Sequence, residues 1–160
     1  MSGEPTTRIG DVLPALTALA TAAVAPLVTA DDPIQVMDGP QLGEQPWQLV
    51  ILGVTDSPDI PPYTTRYEQQ DGLGAPRYVE VTAVRCLVSV ARGDDDLVAA
   101  RDQVVTIVTA LDVALRAEHH RPGVWDDAGF GPDAWQWYPA PTPTGATVAV
   151  FFTLEVSSLL

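Results

Sequence analysis

Apolar and polar positions recur with two different periods along this chain, and the periods mark out its elements. In "DLVAARDQVVTIVTALDVALRAEHHR", Leu97, Val104, Val108, Leu111 and Leu115 form one stripe at helical spacing. Ala100, Ile107 and Ala114 widen the stripe, and Asp102, Thr106, Thr109 and Arg116 oppose it, which predicts an amphipathic helix. Val113 falls in the polar face, either as an incidental exposed residue or as part of a subunit contact. The preceding Asp94-Asp95-Asp96 predicts a turn and an N-cap, because carboxylates suit the positive end of a helix. Consecutive carboxylates cannot all converge on one ion, and no calcium-loop spacing follows them.

A second helix is expected near the start. Leu13, Leu16, Ala20, Ala23 and Val24 share a face, Asp11 can cap it, and Pro14 fits a first turn. The pattern ends at about Ala25, before Pro26; residues 1–10 read as a loose leader. Residues 12–30 carry no charge, so a signal peptide or membrane span has to be weighed. The basic leading segment of a signal is missing, and Ala and Thr supply little insertion energy. A packed first helix is therefore the expectation.

Other segments alternate with period two. "RYVEVTAVRCLVSVARG" (77–93) predicts a long strand with Val84, Cys86, Val88 and Val90 on one face. "ATVAVFFTLEVSSL" predicts another, in which Val148, Val150, Phe152, Leu154 and Val156 alternate with Thr147, Phe151, Thr153 and Glu155. Ile34–Met37 and Trp47–Val54 predict two shorter strands in a hairpin-like unit. Asp38-Gly39-Pro40 ends the first, since proline cannot donate to a ladder, and 41–46 forms the connection. Residues 55–77, with Tyr63 and Tyr67, and residues 121–145, with Trp125, Trp135 and Trp137, read as long loops; the tryptophan cluster reads either as internal packing, a satellite core, or as an anchor for a partner. Loops of that length in a compact domain are usually functional or disordered. The pattern as a whole predicts one α+β domain over 1–160, a mostly antiparallel sheet of about four strands packed against two helices.

Composition narrows the function. The chain has 160 residues, 46% hydrophobic and 18% charged, which is a globular balance. Acidic residues number 21 against 8 basic ones, for a net charge of -13. Such a surface disfavours nucleic acid and anionic membranes as partners. All the basic residues are arginine, which reads as coding bias. Cys86 is the only cysteine, so no internal disulfide forms, and among valines it reads as a small core residue. His119 and His120 are adjacent, so on a helix they point about 100° apart and do not chelate together. "GLG" (72–74) and "GFG" (129–131) lack the context of a phosphate loop. No nucleophile motif is present, and neither a cofactor nor a metal is expected.

The order and texture of the pieces resemble the tail-terminator proteins of long-tailed bacteriophages. The resemblance rests on a first helix, a strand ending "VMDGP", a strand with Trp47 and "ILGV", and a long loop. It continues through "VEVTAVRCLVSVARGDDD", "AARDQVVTIVTALDVALR" and the ending "PTPTGATVAVFFTLEVSSLL", covering most of the chain. It implies a non-catalytic protein of the virion, assembled in the bacterial host cytoplasm. Such a protein forms a hexameric ring that caps the tail tube at the tail-neck junction. Implied partners are further copies of the chain, the major tail tube protein and a head-neck or stopper protein. DNA would be only a cargo passing through the lumen, where acidic charge would keep it from sticking. Candidate interface residues are Tyr63, Tyr67, Val113, Trp125, Trp135, Trp137, Phe151 and Thr153. Alternatives are another neck, head-completion or tube subunit, or a monomeric ligand-binding or enzymatic α+β domain with a polar pocket.

Overall fold

The computed structural model describes residues 7–40, 47–72, 74 and 76–160. The connection 41–46, most of the leader and parts of "GLG" therefore lie outside the described residues. In chain order the elements are α1 (Ile9–Val24), a 3-10 turn (Ala25–Leu27), β1 (Ile34–Asp38), β2 (Gln48–Leu52) and β3 (Tyr63–Gln70). There follow β4 (Arg77–Arg92), α2 (Leu97–Ala117), β5 (Asp127–Phe130), β6 (Gln136–Thr142) and β7 (Gly145–Leu159).

The two long alternating segments, β4 and β7, pair antiparallel from Val79↔Leu159 to Arg92↔Ala146 and form the spine of the sheet. Each long strand carries two short strands end to end along its outer edge. On β4 these are β2 and β3; on β7 they are β5 and β6. β1 extends the sheet beyond β2. The sheet thus has seven strands rather than about four. It is also mixed, because β1 and β2 run parallel and do not form a hairpin.

The long-loop expectations are corrected too. β3 lies within 55–77, and β5 and β6 lie within 121–145. "YTTRYEQQ" has no apolar alternation because β3 is exposed on both faces beyond Tyr63, so its strand state comes from pairing with β4. β6, "QWYPAPT", is likewise exposed along its length, and its prolines read as loop. The start of α1 differs as well. Asp11 lies in the first turn and Arg8 occupies the N-cap without a side-chain cap. Instead the buried Glu80 of β4 accepts the Arg8 backbone N–H at 2.8 Å and the Thr7 hydroxyl at 3.1 Å. Pro14 therefore sits past the first turn, inside the helix.

Other local expectations hold. Asp96 caps α2 by accepting the Ala99 N–H at 2.9 Å. Gly39, with φ of 77°, turns the chain out of β1, and its N–H donates to Leu52 at 2.7 Å. Both helices cover one face of the sheet, over Val84, Cys86, Val88 and Val90 of β4 and the even-numbered residues of β7. α1 contributes Val12, Leu16, Leu19 and Val24 to this core, and α2 contributes Val104, Ile107, Leu111 and Leu115. α1 lies beside β1 and β2, whereas α2 lies over β4, β7, β5 and β6. The helix layer therefore ends in an α1 flank on one side and an α2 flank on the other.

Candidate functional site

Three surfaces stand out once the core is removed from consideration. The first is a groove of about 390 Å³ between α2 and the β5–β6 side of the sheet. Val105, Val108, Phe130, Trp135 and Trp137 line it, with Asp112 and Arg116 at the rim. Its aromatic wall is built from the core outward. Phe152 of β7 is fully buried, Trp135 stacks on it at 5.2 Å, and Phe130 meets both rings at 5.0 and 5.4 Å. Trp137 stands at the lip, 40% exposed, and α2 adds exposed Val105 to the lining.

The second surface is the helix-free face of the sheet. β2 and β3 meet end to end on β4 at Arg85, whose backbone bonds both Pro62 and Gly53. β5 and β6 meet on β7 opposite this point, where the Gly131 N–H donates to Thr153. The Arg85 side chain fills the junction. It donates to Asp56 at 3.0 Å and to the Gln136 amide oxygen, and its guanidinium lies 5.4 Å from the Phe151 ring centre. Tyr138 closes the cluster by donating to Asp56 at 2.8 Å and meeting Phe151 edge-on. Burial alone would push the Asp56 carboxyl up. The Tyr138 hydroxyl, a backbone N–H and the Arg85 charge outweigh it and hold the group below the usual aspartate value. Tyr138 is raised in turn by its bond to that carboxylate and then by burial. The cluster ties the 54–62 connection to the start of β6, a latch across the two halves of the sheet.

The third surface is the pair of outer edges. Among the described residues β3 presents an unpaired edge, with both faces exposed beyond Tyr63 and no proline in the strand. β6 is also an edge strand, but Pro139 and Pro141 stand on the same side of it. A proline fits a ladder only where its missing N–H points away from the partner strand. The outer edge of β6 therefore offers fewer donors to an incoming strand, whereas β3 keeps its own.

No family model and no curated protein sequence matches this chain. Among solved structures it is similar to a chain of the "Virion of native gene transfer agent (GTA) particle", at 11% identity and a TM-score of 0.52. The match covers 95% of this chain and 95% of that chain. The two share their fold over nearly their whole length.

The sequence-predicted interface residues scatter over these surfaces. Trp135 and Trp137 share the groove beside α2, and Val113, 62% exposed, lies on the outer side of the same helix. Tyr67 is exposed on β3, whereas Tyr63 is half-buried against the core, its ring over Gly53. Burial, with the Glu80 charge next, raises the Tyr67 phenol. Phe151 lies under Arg85 and Tyr138 on the helix-free face. Two candidates are corrected by burial: Trp125 is 2% exposed and Thr153 6%, so neither has surface to offer a partner. Trp125 closes the C-terminal end of α2, donating its indole N–H to the Glu118 carbonyl at 2.9 Å. Sequence reasoning passes over Arg85, Asp56, Gln136, Val105, Phe130 and the outer face of α1. Arg85 does leave a signal, as a charge that, like Glu80, interrupts a valine-rich strand.

Reactive chemistry is sparse. Burial pushes the Cys86 thiol up to about 12, so it stays protonated and inert near neutrality. Among the described residues, no three His, Cys, Asp or Glu side chains cluster as metal ligands would. His119 and His120 are exposed, each bonding a backbone carbonyl through Nδ1.

Proposed function

We propose that this chain is a structural component of a phage-like virion, a tail-terminator subunit. Copies of it close into a hexameric ring that caps the tail tube, ends its polymerisation and offers a surface to head-neck proteins. The observation that carries the reading is the shared fold over 95% of both chains with a component of a gene transfer agent virion. The order of sequence motifs supports the terminator role in particular. The surfaces fit assembly: an aromatic groove, a sheet edge with free backbone donors, and a net charge of -13 that would let DNA pass a lumen without sticking.

In this reading β3 is the element that meets the tube or the neck. An incoming strand could pair along its open edge, with Tyr67 and Arg66 standing on opposite faces of the strand to select it. The test is electron microscopy of tail tubes polymerised with and without the purified protein. Rings at one end of tubes of uniform length are expected. Incorporation along the tube wall would instead mark a tube subunit, and indifference to tubes would exclude both roles.

A further inference from the structure

Ring closure requires two different patches on each copy, placed on opposite sides of the molecule. The helix layer supplies such a pair. On one side, α1 turns Asp11, Pro14, Ala18, Ala22 and Ala25 outward in a single stripe. With Thr17, Thr21 and Asp38, the residues from Pro14 to Ala25 line a shallow groove of about 640 Å³. No charged residue lies between Asp11 and Asp31, so among the described residues the groove lining carries one charge, Asp38, with Asp11 at the end of the stripe. On the other side lies the aromatic groove beside α2, with exposed Val105 and Trp137. At its rim Arg116 stands against Asp112; Arg101 and Asp102 lie exposed on the same helix, and Asp133 is exposed in the β5–β6 connection. Arg116 holds Asp112 at 2.9 Å, whereas Arg101 makes no ion pair among the described residues.

Resting on the ring reading above, we infer that the α1 flank of one copy seats in the aromatic groove beside α2 of the next copy. Three observations select a second copy as the occupant. A chain of net charge -13 repels its own kind over most of its surface, but not where charge is absent or balanced. The lining of both flanks has that property, the α1 stripe by lacking charge and the groove by the Asp112–Arg116 pair, as the centre of a subunit interface does. They also differ in shape and charge in the sense required. One is a flat, small-residue helix face with an acidic rim; the other is a groove with aromatic walls on a helix that also carries Arg101, without an ion pair among the described residues, to meet that rim. Two equal patches would make a two-fold dimer, whereas two unlike patches on opposite sides propagate head to tail. A small-residue helix face lets a partner approach closely, and Trp135 and Trp137 are of the type that dominates interface energetics.

Single cysteines placed in the full chain test the contact, because Cys86 is buried and unreactive. Ala22→Cys and Val105→Cys are prepared separately; both sites are exposed, so circular dichroism is expected to match the parent chain. Treated with a short bis-maleimide, a mixture of the two variants should give cross-linked dimers. Either variant alone should remain uncross-linked. Self-cross-linking of each variant alone would show a two-fold contact and overturn the inference. A second pair, Ala18→Glu and Val105→Glu, is read by light scattering over a concentration series. Each should raise the concentration at half assembly by about tenfold or more. Rings that form as before in both glutamate variants, without mixed cross-links, would overturn the contact and leave the ring intact. A parent chain that stays monomeric, with or without tail tubes, would overturn the ring and the contact together. Binding of the parent chain to neutral lipid vesicles, lost in Ala18→Glu, would assign the α1 flank to a membrane and also overturn the contact.

Discussion

Arg85 organises the helix-free face, and its neighbours can be ranked by what each supplies. Asp56 neutralises it, Gln136 accepts a further bond and Phe151 offers a ring face. Asp56→Asn keeps the shape and removes the charge, so it should cost about 1 kcal/mol at neutral pH. The Asp56 carboxyl is held below its ordinary value in the folded chain. Its contribution is therefore present above the unfolded value near 4 and is lost as pH falls through the lower folded value. Urea midpoints of parent and variant should differ at about pH 7 and draw together as pH falls below about 4; a gap that does not narrow at all on acidification would refute the ionic role. A second residue with no latitude is Gly145, at φ of 154° where the β6–β7 turn ends. A Cβ there would lie 1.8 Å from the Arg92 carbonyl oxygen. Gly145→Ala should cost about 2–4 kcal/mol by displacing backbone, readable as a lowered midpoint in urea denaturation.

At the scale of elements, the helices and long strands are legible in the sequence because one face of each is buried. Burial imposes a period, and the period shows only where packing selects the side chains: Val104, Val108, Leu111 and Leu115 for α2, Val148 to Val156 for β7. β3 and β6 leave no such trace, because neither buries a face and both owe their state to pairing with a long strand. The parallel pairing of β1 with β2 is hidden for a similar reason, since strand direction leaves no mark on side-chain period. The α1 start is hard to place because its cap is remote: Glu80 lies 72 positions from Arg8. Glu80→Leu should therefore speed amide exchange in the first turn of α1 while leaving α2 protected, measured by hydrogen exchange. Trp125, in a tryptophan-rich segment, reads from sequence either as internal packing or as a partner anchor; its buried ring and bond to Glu118 make it a plug for α2. Trp125→Ala should cost about 3–5 kcal/mol in thermal or urea unfolding. A cost near zero would return it to the surface.

At the scale of the whole molecule, the features of interest are arranged by side. The α1 flank and the α2 groove face away from each other across the helix layer. β3 projects with both faces bare, and the Arg85 latch joins the two halves of the sheet on the face the helices leave open. Such a layout leaves separate surfaces open in several directions at once, as the proposed ring subunit requires. It also explains why candidate site residues are only partly legible in the sequence. Trp135 and Trp137 announce themselves by type, but their groove is completed by Val105 and Val108 from a helix that reads as ordinary. The most direct test of the account is the mass of the protein in solution, by light scattering across concentrations, alone and with tail tubes added. A closed species near six times the 17.0 kDa chain mass, free or formed only on tubes, is the predicted result. A strict monomer that ignores tail tubes, or open-ended polymers, would contradict it.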